Sequence, residues 1–223
     1  MFRGMQKKAA ILIILVVISA AIVLSIRLRN NPDSNTDGDT EVFDNGGRYV
    51  SSNLNYMGVI YTNQSDILNW NGGYSESTSC PWERIHNGLD FAFKNESTVV
   101  AAAPGLVESI LWNDTGPANN VYSIHVSIRF NESIQILYDF EPFTINSSDV
   151  NRQISMLDVE VGDWVAIGET IGQFLAVGGG AHIHFAVYNG DATCPKQFFS
   201  DAAYAEMMEL VHTYQSGWEL CYP

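Results

Sequence analysis

The sequence predicts an all-β domain, a compact antiparallel β-sheet core with a C-terminal helix, preceded by one N-terminal transmembrane helix. Three observations predict it. Residues 122–130 and 133–138 alternate apolar and polar side chains, as half-buried antiparallel strands do, with Asn131-Glu132 placed to turn one into the other. Residues 200–215 carry Tyr204, Met207, Met208, Val211 and Tyr214 at helical spacing, after Ser200 or Asp201 as a cap and before Gly217 as a stop. Ala9 to Ile26 is an unbroken run of apolar or small residues. As a helix it would be about 27 Å long, close to the hydrocarbon thickness of a bilayer.

The chain divides into three parts. Residues 1–29 form a membrane anchor; Arg3, Lys7 and Lys8 before the apolar run and Arg27 and Arg29 after it favour a cytoplasmic N-terminus. The alternative is a signal peptide, which Ser19, Ala20 and Ala21 would suit, with secretion of the rest. Residues 30–47 are rich in Asn, Asp, Ser, Thr and Gly and form a polar tether. Residues 48–223 are long enough for one domain with a real core. Either N-terminal reading puts this domain outside the cytoplasm.

A net charge of −14, with few Lys or Arg beyond the first thirty residues, excludes nucleic acid as a partner because little would neutralise phosphates. Asn63, Asn95, Asn113, Asn131 and Asn146 each begin an Asn-x-Ser/Thr sequon, more than chance supplies, which suggests a glycoprotein surface. Of the three cysteines, Cys194 and Cys221 bracket the C-terminal helix, and a disulfide is expected between them, leaving Cys80 free.

Chemistry concentrates in two places. In Gly178-Gly179-Gly180-Ala181-His182-Ile183-His184-Phe185, strand parity points His182 and His184 to one side. His86-Asn87-Gly88-Leu89-Asp90 adds a third imidazole and a carboxylate. These are zinc-type donors. On a straight strand the Cα atoms of His86 and Asp90 would stand roughly 13 Å apart, so the chain must bend for both to reach one ion, and Gly88 is the residue best able to take such a backbone.

At these residues the chain resembles the lysostaphin/LytM-type zinc metalloendopeptidases. His86-x-Gly88-x-Asp90, Val99-Val100-Ala101-Ala102-Ala103-Pro104-Gly105, Val161 to Gly172 and His182-Ile183-His184-Phe185 follow in that family's order. The resemblance implies the fold of that type, with His86, Asp90 and His184 as ligands of Zn2+ and His182 as a catalytic histidine beside it. Such a domain would hydrolyse peptide bonds in a cell-wall peptide or a surface glycoprotein. One departure stands out. The family usually carries a second catalytic histidine in a Tyr-x-His, and here Tyr138-Asp139-Phe140 has Phe140 in its place. Parity would point Asp139 and Glu141 away from the site unless the strand bulges before Pro142. With such a bulge Glu141 is the first substitute; His125 is the second, and it requires its own strand to face the cleft. The alternative function is a non-catalytic LytM-like domain that binds a wall polymer or regulates a partner enzyme.

Overall fold

Eight of the strands in this fold meet in one sheet in the way that the alternating pattern requires, with apolar residues on one face and polar ones on the other. The computed structural model describes residues 53–223, all within one compact unit. The anchor, the tether and the first residues of the expected domain lie outside the described residues. Among the described residues no helix is long and apolar enough to cross a membrane.

The strands are β1 (Ile67–Gly72), β2 (Tyr74–Ser75), β3 (Leu89–Phe93), β4 (Thr98–Val100), β5 (Gly105–Asn113), β6 (Ser123–Arg129), β7 (Ile134–Glu141), β8 (Trp164–Val165), β9 (Thr170–Gln173), β10 (His182–Asn189), β11 (Asp191–Thr193) and β12 (Cys221–Tyr222). Two helices accompany them, α1 (Ser147–Ser155) and α2 (Asp201–Tyr214). The main sheet runs β1-β3-β10-β7-β6-β5-β8, with β11 on the same edge of β10 as β3, and every pairing in it is antiparallel. Strands β4 and β9 form a second antiparallel pair, while β2 and β12 pair in parallel.

The core lies on one face of the main sheet. Ile124, Val126 and Ile128 of β6, Ile136, Tyr138 and Phe140 of β7, and Ile183, Phe185 and Val187 of β10 are all fully buried there. Tyr138 packs edge-on against Phe185, and its hydroxyl accepts a hydrogen bond from the Ala102 amide at 2.6 Å. That bond satisfies the buried phenol and fixes the chain entering β5 against β7. Asn131 turns β6 into β7 as expected, its Oδ1 accepting from the amides of Ser133 and Ile134.

Helix α2 has Ser200 as its N-cap, with Met207, Leu210 and Val211 fully buried. Cys194 and Cys221 are joined as expected and Cys80 is free and buried. The disulfide delivers β12 to β2, where Tyr74 and Glu76 donate to the Leu220 and Tyr222 carbonyls. Helix α1 has no counterpart in the sequence reading. Its signal is local: the Asn146 side chain caps it by accepting from the Ser148 amide, and Asp149, Val150 and Gln153 form its buried face.

The sequons have a structural use. Asn63, Asn95, Asn113, Asn131 and Asn146 each accept a hydrogen bond from a backbone amide through Oδ1. Four of these bonds close turns or cap helices within three residues, which is what Asn followed by a small polar residue does well. Turn and cap chemistry therefore gives four of these asparagines a structural part, while Asn95 ties its loop to Ala176.

Candidate metal centre

The site is assembled on the polar face of the main sheet by cross-strand register. Directly paired residues share a face. His184 of β10 lies opposite Asp90 of β3 on one side and Asp139 of β7 on the other, and Asp139 lies opposite His125 of β6. Two pairs along, and so on the same face, His182 lies opposite Glu141.

His86 reaches this face from outside the sheet. It bridges to Ser75, which pairs with the C-terminal strand, and the chain then bends through Asn87 and Gly88 into β3. Gly88 is needed for space rather than for an unusual backbone. A Cβ there would stand 2.5 Å from the Phe185 carbonyl oxygen and 2.6 Å from Cε1 of His184. Trp82 packs edge-on near His86 and against Trp218 and Tyr222, so the disulfide-tied tail braces the loop that carries this histidine.

Three donor atoms converge. His86 Nε2 lies 3.1 Å from Asp90 Oδ1 and 3.1 Å from His184 Nδ1, and His184 Nδ1 lies 2.9 Å from Asp90 Oδ1. A tetrahedral zinc with bonds near 2.1 Å separates its donors by about 3.4 Å, so a small spreading of this triangle seats the ion. The tautomer fits as well: His86 Nδ1 donates to the Gly73 carbonyl oxygen at 2.6 Å, which leaves the Nε2 lone pair facing the centre. The residues present fit a zinc site of three protein ligands, and Arg84, 3.4 Å from Asp90 Oδ2, adds an outer contact.

The charges agree with this geometry. Burial alone would raise the pKa of Asp90, but hydrogen bonds from His184 and His86 and the nearby His182 outweigh it and hold the carboxyl below its usual range. Burial would lower His86; its bond to Asp90 more than offsets this and the imidazole is raised.

Beside the triangle, His182 donates from Nδ1 to the Gly180 carbonyl oxygen at 2.8 Å, turning Nε2 to within 3.7 Å of Asp90 Oδ1 and 3.6 Å of Glu141 Oε1. Gly180 is pressed against the ring of Phe143, and Phe143 sits in the left-handed region at φ 60°. Glu141 Oε2 accepts from the Asn120 side-chain amide.

The expected direction of β7 is corrected here. Asp139 and Glu141 face the site without any bulge, because β7 and β10 stay in unbroken register from Ile134 to Glu141. Phe140 points into the core and packs near Phe174. The expectation took Phe140, in the place of the family's histidine, as marking the site face, whereas Ile134, Ile136, Tyr138 and Phe140 are the buried apolar face. Sequence reasoning turned Asp139 away from the site and passed over Asn120. Asp139 is buried, and burial together with Glu141 pushes its pKa up to about 8. The alternation of β7 against the apolar face of β6 would have revealed its direction.

Comparison with known proteins follows the same lines. The sequence model of Peptidase family M23 matches residues 84–195, half of the chain, a span that holds all of the site residues named above. No curated protein matches the chain. Among solved structures it is similar to the catalytic domain of lysostaphin from Staphylococcus simulans, at 21% identity and a TM-score of 0.42, covering 60% of this chain and 93% of that one. It is also similar to the catalytic domain of a mutant of the prophage-encoded M23 protein EnpA from Enterococcus faecalis, at 19% identity and a TM-score of 0.39, covering 56% and 83%. A zinc-containing peptidase from Vibrio cholerae gives 19% identity and a TM-score of 0.39, with coverage of 71% and 43%. On the match to its sequence model, the chain belongs to peptidase family M23, whose members are zinc metallopeptidases.

Proposed function

We propose that the protein is a membrane-anchored extracytoplasmic zinc metalloendopeptidase that cleaves peptide bonds in a cell-wall peptide or surface glycoprotein. The observation that carries this reading is the convergence of His86, Asp90 and His184 within one bond-making triangle, with His182 and Glu141 alongside. Family membership supports peptidase chemistry, and the apolar run before the polar tether supports anchoring.

His86, Asp90 and His184 hold the ion in this reading. When bound, zinc polarises a carbonyl oxygen and makes water a stronger acid. His182 takes the proton from the attacking water, its Nε2 freed for this by the Nδ1 bond to Gly180. Glu141 stabilises the imidazolium that results, and Asn120 keeps the carboxylate turned toward His182. The proton then goes to the departing amine nitrogen.

A second reading, a non-catalytic LytM-like module, is favoured by one observation: the residue standing where the family's second histidine is expected is buried in the core. Metal analysis of the domain from about residue 46, with an assay on short peptides and on isolated wall material, separates the two. Close to one zinc per chain with metal-dependent cleavage supports the enzyme. Zinc without any cleavage supports the module.

A further inference from the structure

The chain contains five histidines, and four of them, His86, His125, His182 and His184, belong to the polar face of one sheet or its margin. The fifth, His212, is exposed on α2 and faces the Trp218 carbonyl oxygen. The peptidase reading uses three of the four and leaves His125 without a part.

Its position is specific. Across the sheet the register places Asp90, His184, Asp139 and His125 in one row on strands β3, β10, β7 and β6. Strands are about 4.8 Å apart, so His125 lies roughly 10 Å from His184 along the backbone, with Asp139 between them. A peptide lying over the metal centre would therefore reach it. His125 Nε2 is 3.1 Å from Ser123 Oγ and 3.5 Å from Asp139 Oδ1, so the ring is aimed back toward the centre rather than out from the sheet. Asp139 Oδ1 is buried and makes no hydrogen bond, and the His125 imidazole lies beside it. The imidazole itself is 30% exposed and open to a substrate.

We propose that His125 is the second catalytic imidazole of the site, supplied by β6 and oriented by Ser123 and Asp139, and that it donates an N–H hydrogen bond to the oxygen on which negative charge develops. This rests on the peptidase reading. In the reaction the bond from water oxygen to carbonyl carbon forms and the C–N bond breaks. The proton released by water travels through His182 to the amine, so His125 stabilises the tetrahedral state with no net proton change. Burial pushes its pKa below the ordinary histidine range, which keeps the ring neutral, with one N–H, at neutral pH. A donor of this kind is worth about two to three orders of magnitude in kcat. The apolar face of β7 keeps Phe140 in the core, so the imidazole that is missing from that strand is replaced by one from the strand beside it.

The test uses the zinc-loaded domain, a peptide that the wild type cleaves, and a phosphinic pseudopeptide whose oxygens stand for those of the tetrahedral state. His125→Ala should lower kcat at least about thirtyfold with KM changed less than about threefold. Calorimetry should show phosphinate binding weakened at least about tenfold, with zinc content as in the wild type. His125→Gln, which retains an N–H donor and serves if the alanine variant does not fold, should recover part of both losses. Wild-type kcat and phosphinate affinity in both variants would overturn the role of His125 and leave the peptidase reading standing. A zinc-loaded wild type that neither cleaves nor binds the phosphinate would overturn the peptidase reading, and this role with it.

Discussion

His182 and Glu141 occupy directly opposed positions on β10 and β7, and their Nε2 and Oε1 atoms stand 3.6 Å apart. Opposed positions share a face, so the carboxylate arrives beside the histidine through register alone. This makes Glu141 the carboxylate placed to stabilise the imidazolium that His182 becomes during turnover. Glu141→Gln keeps shape and loses charge, so kcat should fall at least tenfold, about 1.4 kcal/mol of barrier, with zinc content unchanged. Steady-state kinetics with metal analysis checks it; equal rates for the two proteins would remove Glu141 from the mechanism.

Zinc binding should depend on pH in a particular direction. Ligand imidazoles must be neutral, and His86 in the metal-free protein holds its proton to higher pH than an ordinary histidine. Protons therefore compete more as pH falls, and affinity should begin to drop at a pH above the usual histidine value of about 6.5. Competition titrations against a chelator between pH 5 and 8, a range chosen about that value, should show this. His86→Ala, Asp90→Ala and His184→Ala should each abolish tight binding.

Much of this site was legible in the sequence because its ligands declare themselves by type and spacing. The pairing of His182 with His184, the His86 to Asp90 bend and the capped helix with its disulfide all follow from short-range rules. The direction of β7 did not follow. Ile134, Ile136, Tyr138 and Phe140 alternate cleanly, but alternation says only that two faces exist, and which one is buried is decided by β6 and β10 on either side. Once Phe140 faces Ile124 and Ile183, both core residues, Asp139 and Glu141 must face the histidines. Helix α1 was missed because its apolar content is small and its start lies in a sequon.

Asp139 should make the metal-free protein less stable as pH rises. Its folded pKa, pushed up to about 8 by burial and by Glu141, lies above that of the unfolded chain, near 3.9. Between these values the unfolded state loses the proton and the folded state keeps it, so stability falls with rising pH by up to about 1.4 kcal/mol per unit. Asp139→Asn removes the term. Its advantage in Tm over the wild type should grow from about pH 4 to about pH 8 and then level off; a constant gap across that range would contradict the shift.

Phe140→His should not restore a missing catalytic group. Phe140 is fully buried and packs near Phe174, with its β7 neighbours in register on both sides. An imidazole there would lose aromatic packing and bury a polar ring among Phe and Ile side chains. A loss of about 3 kcal/mol is expected, or roughly 6–12 °C in Tm for a domain of this size, with no gain in hydrolysis. Increased activity in this variant would mean that β7 presents its other face to the substrate.

Gly88→Ala tests whether the bend between His86 and Asp90 depends on space. The new methyl would stand 2.5 Å from the Phe185 carbonyl oxygen, and about as close to Cε1 and Nε2 of His184. The carbonyl belongs to β10, which is held by β3 on one side and β7 on the other, so it yields little. The His184 ring is the part that can move, and moving it takes Nδ1 out of the donor triangle. Zinc affinity should therefore fall at least tenfold even though no ligand has been changed. Gly179→Ala is the matched control, because a Cβ at Gly179 meets nothing within 4 Å and the position is only three residues before His182. It should leave zinc affinity unchanged and shift stability by less than about 0.5 kcal/mol. Equal zinc affinity in both variants would show that the loop relaxes around the methyl and that Gly88 is dispensable to the metal centre.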